Sequence, residues 1–330
     1  MARGADEAVF YELRGELVCE TPVHVGYGAR VGFIRLTRPY IPGSFLRGFM
    51  GLAIARLVCV KEELPTDHYT CEHRHKCPYA ILFGEREAHE EPGVVFRFAY
   101  PIHEGCGGTF LPAPLTLLYH EECGFKAGYR HDEKSHDFEV EPFCAKCGKG
   151  LRPYGGFICD ECGELTTRPV RTNRLVRTAV DRERFSAFWK LYEGERAGSL
   201  HALDVIERGT RFRLSILLNA KLGEFLDVVR EALEKCLPDE GLGASSSRGL
   251  GKLSVRNLEV REITPEVVLS RADEIDLRGF CLRLLSPAIA APGQVRDGFL
   301  EPSSLEAYAR KAYSRVFKRV PRLSGLRPVE

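Results

Sequence analysis

The chain has 330 residues, a formal net charge of +1 and 44% hydrophobic residues. That length buries a substantial core and leaves room for two compact units. The near-neutral balance excludes a histone-like protein with a wholly basic surface, though not a basic groove on a neutral one. Arg outnumbers Lys roughly threefold, and Arg is the better fork-shaped phosphate ligand. With one Gln (Gln294), three Asn and two Met, the chain is poor in thermolabile residues and rich in charge, as heat-adapted proteins are. No apolar run approaches the ~18 residues of a membrane span and the N-terminus lacks a signal-peptide pattern, so a cytoplasmic protein without membrane contact is expected.

In chain order, residues 10–25 read as a strand ending in Thr21-Pro-Val-His-Val-Gly26. A Gly-rich connection follows, and Ile41-Pro-Gly-Ser44 opens a helix to about Val60, with Ser44 as its N-cap and Arg47 in the first turn. Free amides at such a helix start suit a phosphate. The helix is apolar almost all round (Phe45, Leu46, Phe49, Met50, Leu52, Ile54, Leu57), which predicts burial against a sheet. Val94 to Ala99 reads as a strand and Phe110 to Thr116 as an extended segment.

Residues from about 120 to 167 are polar and rich in Cys and Gly, the composition of an insertion folded around a metal. The chain has twelve cysteines, and in a reducing compartment these argue for metal before disulfides. Cys144-Ala-Lys-Cys147-Gly and Cys159-Asp-Glu-Cys162-Gly form two knuckles, separated by a stretch long enough for a hairpin over Leu151–Ile158. Four thiolates in this pattern predict one closed, structural zinc site. Cys71 and Cys77, with His73 and His75 between them, could join Cys106 or Cys123 in a second site. Cys19, Cys59, Cys236 and Cys281 sit in apolar segments and read as small core residues.

Beyond the insertion, Arg168, Arg171, Arg174 and Arg177 recur every three residues and could line a groove that holds a phosphate backbone. A helix is expected near 182–193 (Phe185, Phe188, Trp189, Tyr192), with Phe185, Phe188 and Trp189 in the core and not stacked on bases. The strand Arg211–Asn219, a helical run over Leu222–Leu237 and the strand 253–262 follow. Between the last two lies Gly241-Leu-Gly-Ala-Ser-Ser-Ser-Arg-Gly-Leu-Gly-Lys252. Gly241, Gly243, Gly249 and Gly251 let the backbone come close to a ligand, while Ser245, Ser246, Ser247, Arg248 and Lys252 offer donors and charge suited to phosphate. The pattern is neither a Walker loop nor a Rossmann fingerprint. A second strand start appears at Gly279–Pro287, followed by a helical run at 303–319.

Strand, helix, strand, strand, helix, strand in this order is an α+β, ferredoxin-like (RRM-like) pattern. Ile41-Pro-Gly-Ser-Phe-Leu-Arg-Gly48 after a Thr-Pro strand, Leu82-Phe-Gly84, Arg177-Thr-Ala-Val-Asp181 and the Gly241–Gly251 loop resemble the RAMP superfamily of CRISPR effector subunits. The order, with Pro112–Thr116, the C-x-x-C region and Leu191-Tyr-Glu193 ahead of Gly209-x-x-Phe212, is most similar to the large RAMP protein of type III-D complexes. The resemblance covers about residues 10–262. It implies a RAMP domain over 1–263 with a zinc-ribbon insertion and a short or incomplete second RAMP-like unit over 264–330. It also implies guide RNA (crRNA) and other type III effector subunits as partners, with target RNA met indirectly.

Cleaving relatives in that superfamily carry an Asp between the first strand and the I-P-G-S helix. The matching stretch here, 26–40, has no acid and carries Arg30, Arg35 and Arg38. Binding without cleavage is therefore expected. The rival reading is a metal-independent endoribonuclease that processes repeat RNA, with His24, Tyr27 and Arg30 as base and charge stabiliser. A zinc-ribbon interaction module is a third, and it leaves the glycine loop without a purpose.

Overall fold

The structure is a computed structural model. It describes residues 8–61, 77–83 and 93–273, apart from 115–116, 128–129, 132–137, 140–142 and isolated positions between 179 and 199. Beyond 273 it describes only residue 285 and a few positions between 295 and 307. The chain divides into two compact units, one of Tyr11–Leu111 with Phe157–Arg261, the other of Met1–Phe10, Pro112–Gly156 and Glu262–Glu330. The expected 120–167 insertion is thus split between them at Gly156. The strand expected at Gly279–Pro287 and the helix expected at 303–319 lie outside the described residues, save for isolated positions.

The first unit is mixed α/β with several sheets. Its central sheet runs in the order Leu253–Ile263, Phe10–Cys19, Arg211–Asn219, Val94–Phe96. The Glu16–Arg211 and Glu12–Ser215 contacts show Phe10–Cys19 and Arg211–Asn219 running antiparallel, as do the partners Ile216↔Phe96 and Leu218↔Val94 at the far edge. Alternation decides which face is dry. Leu13, Leu17 and Cys19 from one strand and Phe212, Leu214, Ile216 and Leu218 from its neighbour are all fully or nearly fully buried. They meet Leu46, Met50, Ala53 and Ile54 of the helix Gly43–Lys61 and Val229, Ala232, Leu233 and Leu237 of the helical run 226–240 in one core cluster. The sequence places these strands and helices in the right order, but the strands expected over 10–25 and 94–99 end at Cys19 and Phe96. The second helix departs from regularity, with a 3₁₀ start at Ala220–Phe225 and a π-turn at Ala232–Cys236.

Three local expectations are corrected. Pro42, not Ser44, occupies the N-cap position of the long helix: its carbonyl accepts from the amides of Phe45 and Leu46, which leaves Ser44 exposed within the first turn. Among the described residues near 182–193 no helix forms. Ser186–Ala187 pairs with Val180–Asp181, and Trp189–Tyr192 pairs with Glu195–Gly198. The aromatic spacing there matched a helical period by coincidence, and Phe185 is 91% exposed, not in the core. The hairpin over 151–158 is also absent, because its arms belong to different sheets. Arg152–Pro153 pairs with Leu118–His120, whereas Phe157–Cys159 pairs with Leu165–Thr166.

A second four-stranded sheet in the first unit runs Thr172–Thr178, Leu200–Ile206, Ile34–Thr37, Gly26–Val31. The last two strands are the hairpin into which the Thr-Pro strand leads.

Phe212 is the largest of the fully buried side chains. Phe212→Ala should lower unfolding free energy by about 3–5 kcal/mol, measured by denaturant titration. Leu52→Ala, on the exposed side of the long helix, should cost under about 0.5 kcal/mol. Equal losses at the two positions would contradict the assigned core.

Candidate metal clusters and nucleic-acid interface

The cysteine knuckles are four, not two. His103-Glu-Gly-Cys106-Gly107, His120-Glu-Glu-Cys123-Gly124, Cys144-Ala-Lys-Cys147-Gly148 and Cys159-Asp-Glu-Cys162-Gly163 each read [HC]-x-x-C-G. All four end on a glycine with positive φ (78°, 59°, 70° and 70°), a conformation that costs glycine little. The amides of Gly107, Gly148 and Gly163 each donate to the carbonyl of the first ligand of their knuckle.

The structure groups these knuckles into two clusters. His103, Cys106, Cys159 and Cys162 bring their ligand atoms within 4.8 Å of one another, and so do His120, Cys123, Cys144 and Cys147. The single site expected from Cys144, Cys147, Cys159 and Cys162 is therefore corrected: each C-x-x-C takes an H-x-x-C partner instead of the other C-x-x-C. Pairing within separate sheets is the physical reason. Cys159 ends a strand paired with 165–166, in a sheet with Phe110–Pro112, which places it beside 103–109. Cys144 and Cys147 lie between the strands Phe125–Ala127 and Arg152–Pro153 of the sheet that contains His120. Cys106 and Cys123, read as members of a second site with Cys71 and Cys77, fall one into each cluster. Cys71 lies outside the described residues, and Cys77 is buried elsewhere.

In the first cluster Cys106 Sγ lies 3.3 Å from His103 Nδ1 and 3.4 Å from Cys159 Sγ, and Cys162 Sγ lies 3.4 Å from His103 Nδ1. A tetrahedral ion with bonds of about 2.0–2.3 Å has ligand–ligand edges of roughly 3.3–3.8 Å, so the cluster fits a metal. The far nitrogen of His103 is 3.4 Å from Glu164, the carboxylate–imidazole support that metal-bound His residues commonly have. Burial works to raise the Cys159 thiol, but amides of Cys162 and Glu161 with His103 and Cys106 bring it down to about 7. Hydrogen bonding to Cys147, with burial and the second neighbour Cys144, pushes Cys123 up to about 11. One thiolate resisting the next is what a bound cation relieves. Among the described residues all cysteines are free of disulfides.

The glycine loop is built against the chain just before the hairpin 26–37. Ala244 donates to the His24 carbonyl at 3.2 Å and Gly251 to the Pro22 carbonyl at 2.9 Å. A Cβ on Gly243 (φ 93°) would lie 2.4 Å from the His24 carbonyl oxygen, and one on Gly251 (φ 83°) 2.1 Å from that of Leu242. Gly241, too, is buried with positive φ. Ser246–Arg248 forms an exposed 3₁₀ turn at the crest, entered through Ser245 in the left-handed region and left through Gly249. Ser247, Arg248, Gly249 and Lys252 are exposed, Ser245 and Ser246 half-buried. His24 is 3% exposed, with Nδ1 2.7 Å from the Asp204 carbonyl. Tyr27 stands in the open hairpin with the Arg38 guanidinium over its ring at 5.2 Å, so His24, Tyr27 and Arg30 do not converge into one solvent-facing site.

Strand pairing puts members of both arginine groups noted in the sequence, Arg30 and Arg35 of one and Arg174 and Arg177 of the other, into the second sheet. Arg30 faces Arg35 across the hairpin, Arg35 registers with Leu203, and Leu203 with Leu175. One step along the same face Arg177 faces His201. Like charges set directly opposite destabilise a strand pair unless something anionic lies over them. Among the described residues, Arg30, Arg35, Arg171, Arg177 and Arg248 have no ion-pair partner, while Arg174 pairs with Asp204 at 3.0 Å. Arg47 is engaged as well, donating to the Phe83 carbonyl at 2.5 Å and lying over its ring. His201 was missed in the sequence; its register opposite Arg177 is visible only once the strands are paired.

The outer face of the central sheet contrasts with this. Glu12 meets Arg14 at 2.8 Å and Arg97 at 3.5 Å and accepts from Ser215. Glu16 meets Arg211 and Arg213, and Glu20 meets Arg256 and accepts from Ser254. That face is neutralised internally; the second sheet is not.

These features belong to a mixed α/β chain with two Cys/His clusters that could hold a metal ion. The family model of the RAMP superfamily matches residues 16–254, and the chain belongs to that superfamily. Among solved structures it is similar to a chain of the type III-B Cmr-beta complex bound to cognate target RNA, at 17% identity and TM-score 0.37, over 77% of this chain and 61% of that one. It is also similar to a chain of type III-B Cmr-beta in the apo state, at 14% identity and TM-score 0.40, over 76% of this chain and 97% of that one. No curated protein matched. Among the described residues no helix is long and apolar enough to cross a membrane.

Burial works to raise the Glu12 carboxyl, but hydrogen bonds from Arg14 and Ser215 and the charges of Arg14 and Arg97 outweigh it and leave its pKa below the usual value. A lowered folded pKa stabilises above the unfolded value, about 4.3, and that stabilisation disappears as pH falls through the folded value. Glu12→Gln should therefore cost about 1–3 kcal/mol at pH 7. By urea titration the gap from the parent should close below about pH 4; a constant gap from pH 7 to pH 3 would contradict the ionised network.

Proposed function

We propose that this chain is a non-catalytic subunit of a type III CRISPR effector complex that holds guide RNA by its backbone. We read the sheet order 253–263, 10–19, 211–219, 94–96, with both helices packed in one core, as the ferredoxin-like RAMP domain. The observation that carries the reading is the unpaired basic face of Arg30, Arg35, Arg177 and His201. It lies in the same sheet as Asp204, whose carbonyl fixes His24 against the glycine loop. Membership in the RAMP superfamily supports it independently. Arginines that meet phosphates position a strand without reading its bases, which suits a subunit that must accept any guide sequence. Zinc is the ion we assign to the Cys₃His clusters, since soft thiolates with imidazole in closed tetrahedra favour it and hold it as structural metal.

The non-catalytic reading rests on the hairpin stretch 26–40, which has no acid, and on His24, whose ring is buried and held by a backbone carbonyl. A general base must reach the proton it takes, and this imidazole faces the interior. Purifying the protein with the other effector subunits and sequencing the associated RNA tests the class: repeat-spacer RNA is expected, and no RNA would overturn the reading.

Two quantitative outcomes follow. The double variant Arg30→Ala, Arg35→Ala should weaken binding of unrelated guide RNAs alike and lower the salt slope of log affinity by about 1.4, roughly 0.7 for each lost contact to a single strand. Arg97→Ala with Arg256→Ala, on the neutralised face, should leave that slope unchanged; the opposite ranking would refute the interface. The purified protein should leave repeat RNA intact in EDTA and target RNA intact in magnesium. Cleavage in EDTA that vanishes in His24→Ala would establish the processing enzyme instead.

A further inference from the structure

We infer that the chain binds two zinc ions with different tasks, and that the ion held by His103, Cys106, Cys159 and Cys162 positions the RNA-binding hairpin. The inference rests on the proposed function for its RNA part and on the two clusters alone for its metal part. The hairpin 26–37 is closed at its base by Arg38, which donates to the Gly26 carbonyl at 3.3 Å and to the Tyr40 hydroxyl at 3.1 Å. Tyr40 in turn packs on Phe98, Tyr100 and Phe157, with ring centroids 5.6, 5.3 and 6.4 Å away. Those three rings come from two chain segments that share no strand. Phe98 and Tyr100 lie just before His103, and Phe157 begins the strand that ends in Cys159.

The metal cluster is where these two segments are tied together. The first continues through Pro101 and Ile102, bonded to the strand 211–219 by the bridge Pro101↔Phe212 and the Ile102 amide to Arg211 carbonyl bond, into the knuckle 103–106. Arg213 holds the Gly107 carbonyl at 2.9 Å, and Thr109 and Asp160 exchange bonds between the knuckles. Gly108 lies so near Cys159 that an added Cβ would sit 2.7 Å from its sulfur. After Cys162 the chain runs through Leu165–Thr166 to Arg171 and the strand Thr172–Thr178, which carries Arg177. One ion therefore fixes the segments leading to both halves of the basic face. The second cluster, of His120, Cys123, Cys144 and Cys147, is carried by a sheet whose strands 118–120, 125–127 and 152–153, among the described residues, pair with one another, within the other compact unit. Its ion serves that unit's own folding.

Plasma emission analysis of the full-length protein should give two zinc per chain. Cys162→Ser and Cys147→Ser, each removing one exposed ligand, should each reduce this to one. Cys162→Ser should weaken binding of a single-stranded guide RNA at least tenfold and speed hydrogen exchange in residues 26–40. Cys147→Ser should keep parental RNA affinity and exchange at 26–40. Cys162→His, which supplies a nitrogen ligand, should restore the second zinc and the affinity together. Should Cys162→Ser not fold, exchange measured on the parent during stepwise chelation gives the same readout. One zinc in the parent, or equal loss of RNA binding in the two Ser variants, would overturn the assignment. A parent with two zinc and unaltered RNA affinity in Cys162→Ser would overturn the positioning role. RNA binding absent from the parent would refute the proposed function, while the exchange of 26–40 would still decide whether the ion positions the hairpin.

Discussion

The close approach of the glycine loop to the chain at 22–24 is the constraint on which the rest of the molecule depends. Gly243 rests on the His24 carbonyl with no room for a Cβ, and Gly251 donates to Pro22 while pressing on Leu242. This seam joins the last strand of the central sheet to the chain as it leaves the first. It also fixes where the hairpin 26–37 departs. His24, pinned beneath the loop, reaches through Nδ1 to Asp204 and so ties the seam to the second sheet. A side chain at either glycine would separate the loop crest from the basic face, even if the core of Leu13, Leu17, Phe212 and Leu214 stayed intact.

Electrostatics divides the surface into two kinds of arginine. On the face of the central sheet opposite the helices, Glu12, Glu16 and Glu20, the first of them buried, each answer neighbouring guanidinium groups, which leaves those arginines compensated. In the second sheet Arg30 and Arg35 oppose each other with no acid to separate them. Arginine left in that arrangement is unfavourable by itself and becomes favourable under a phosphate chain. A net charge of +1 hides this contrast, because acidic residues elsewhere in the chain offset the uncompensated arginines.

Much of the fold was legible because it follows from alternation and from one apolar helix. Phe212, Leu214, Ile216 and Leu218 announce a strand with one dry face, and Leu46, Met50 and Ile54 announce the helix that covers it. The metal ligands were legible only in part. Two C-x-x-C-G knuckles close in sequence look like partners, yet strand pairing draws them apart, and the H-x-x-C-G knuckles at 103 and 120 that complete them differ by one residue type. Searching for the knuckle by its closing glycine, not by its cysteines, would have found all four. The aromatic run at 185–192 misled for the opposite reason: a helical spacing of four rings carries no information when the backbone pairs as strands. The meeting of Arg35 with Leu203 and of Arg177 with His201 depends on register between strands more than 20 residues apart, which no local pattern encodes.

The central claim is that RNA lies on the second sheet and the glycine loop, and not on the open face of the central sheet. Ultraviolet cross-linking of the RNA-loaded protein, read by mass spectrometry of the linked peptides, tests it most directly. The account predicts adducts at Tyr27, Phe33 and His201 and in the peptide containing Ser246–Arg248. Adducts concentrated in the peptides of Arg97, Arg213 and Arg256, with none in 26–37, would contradict it.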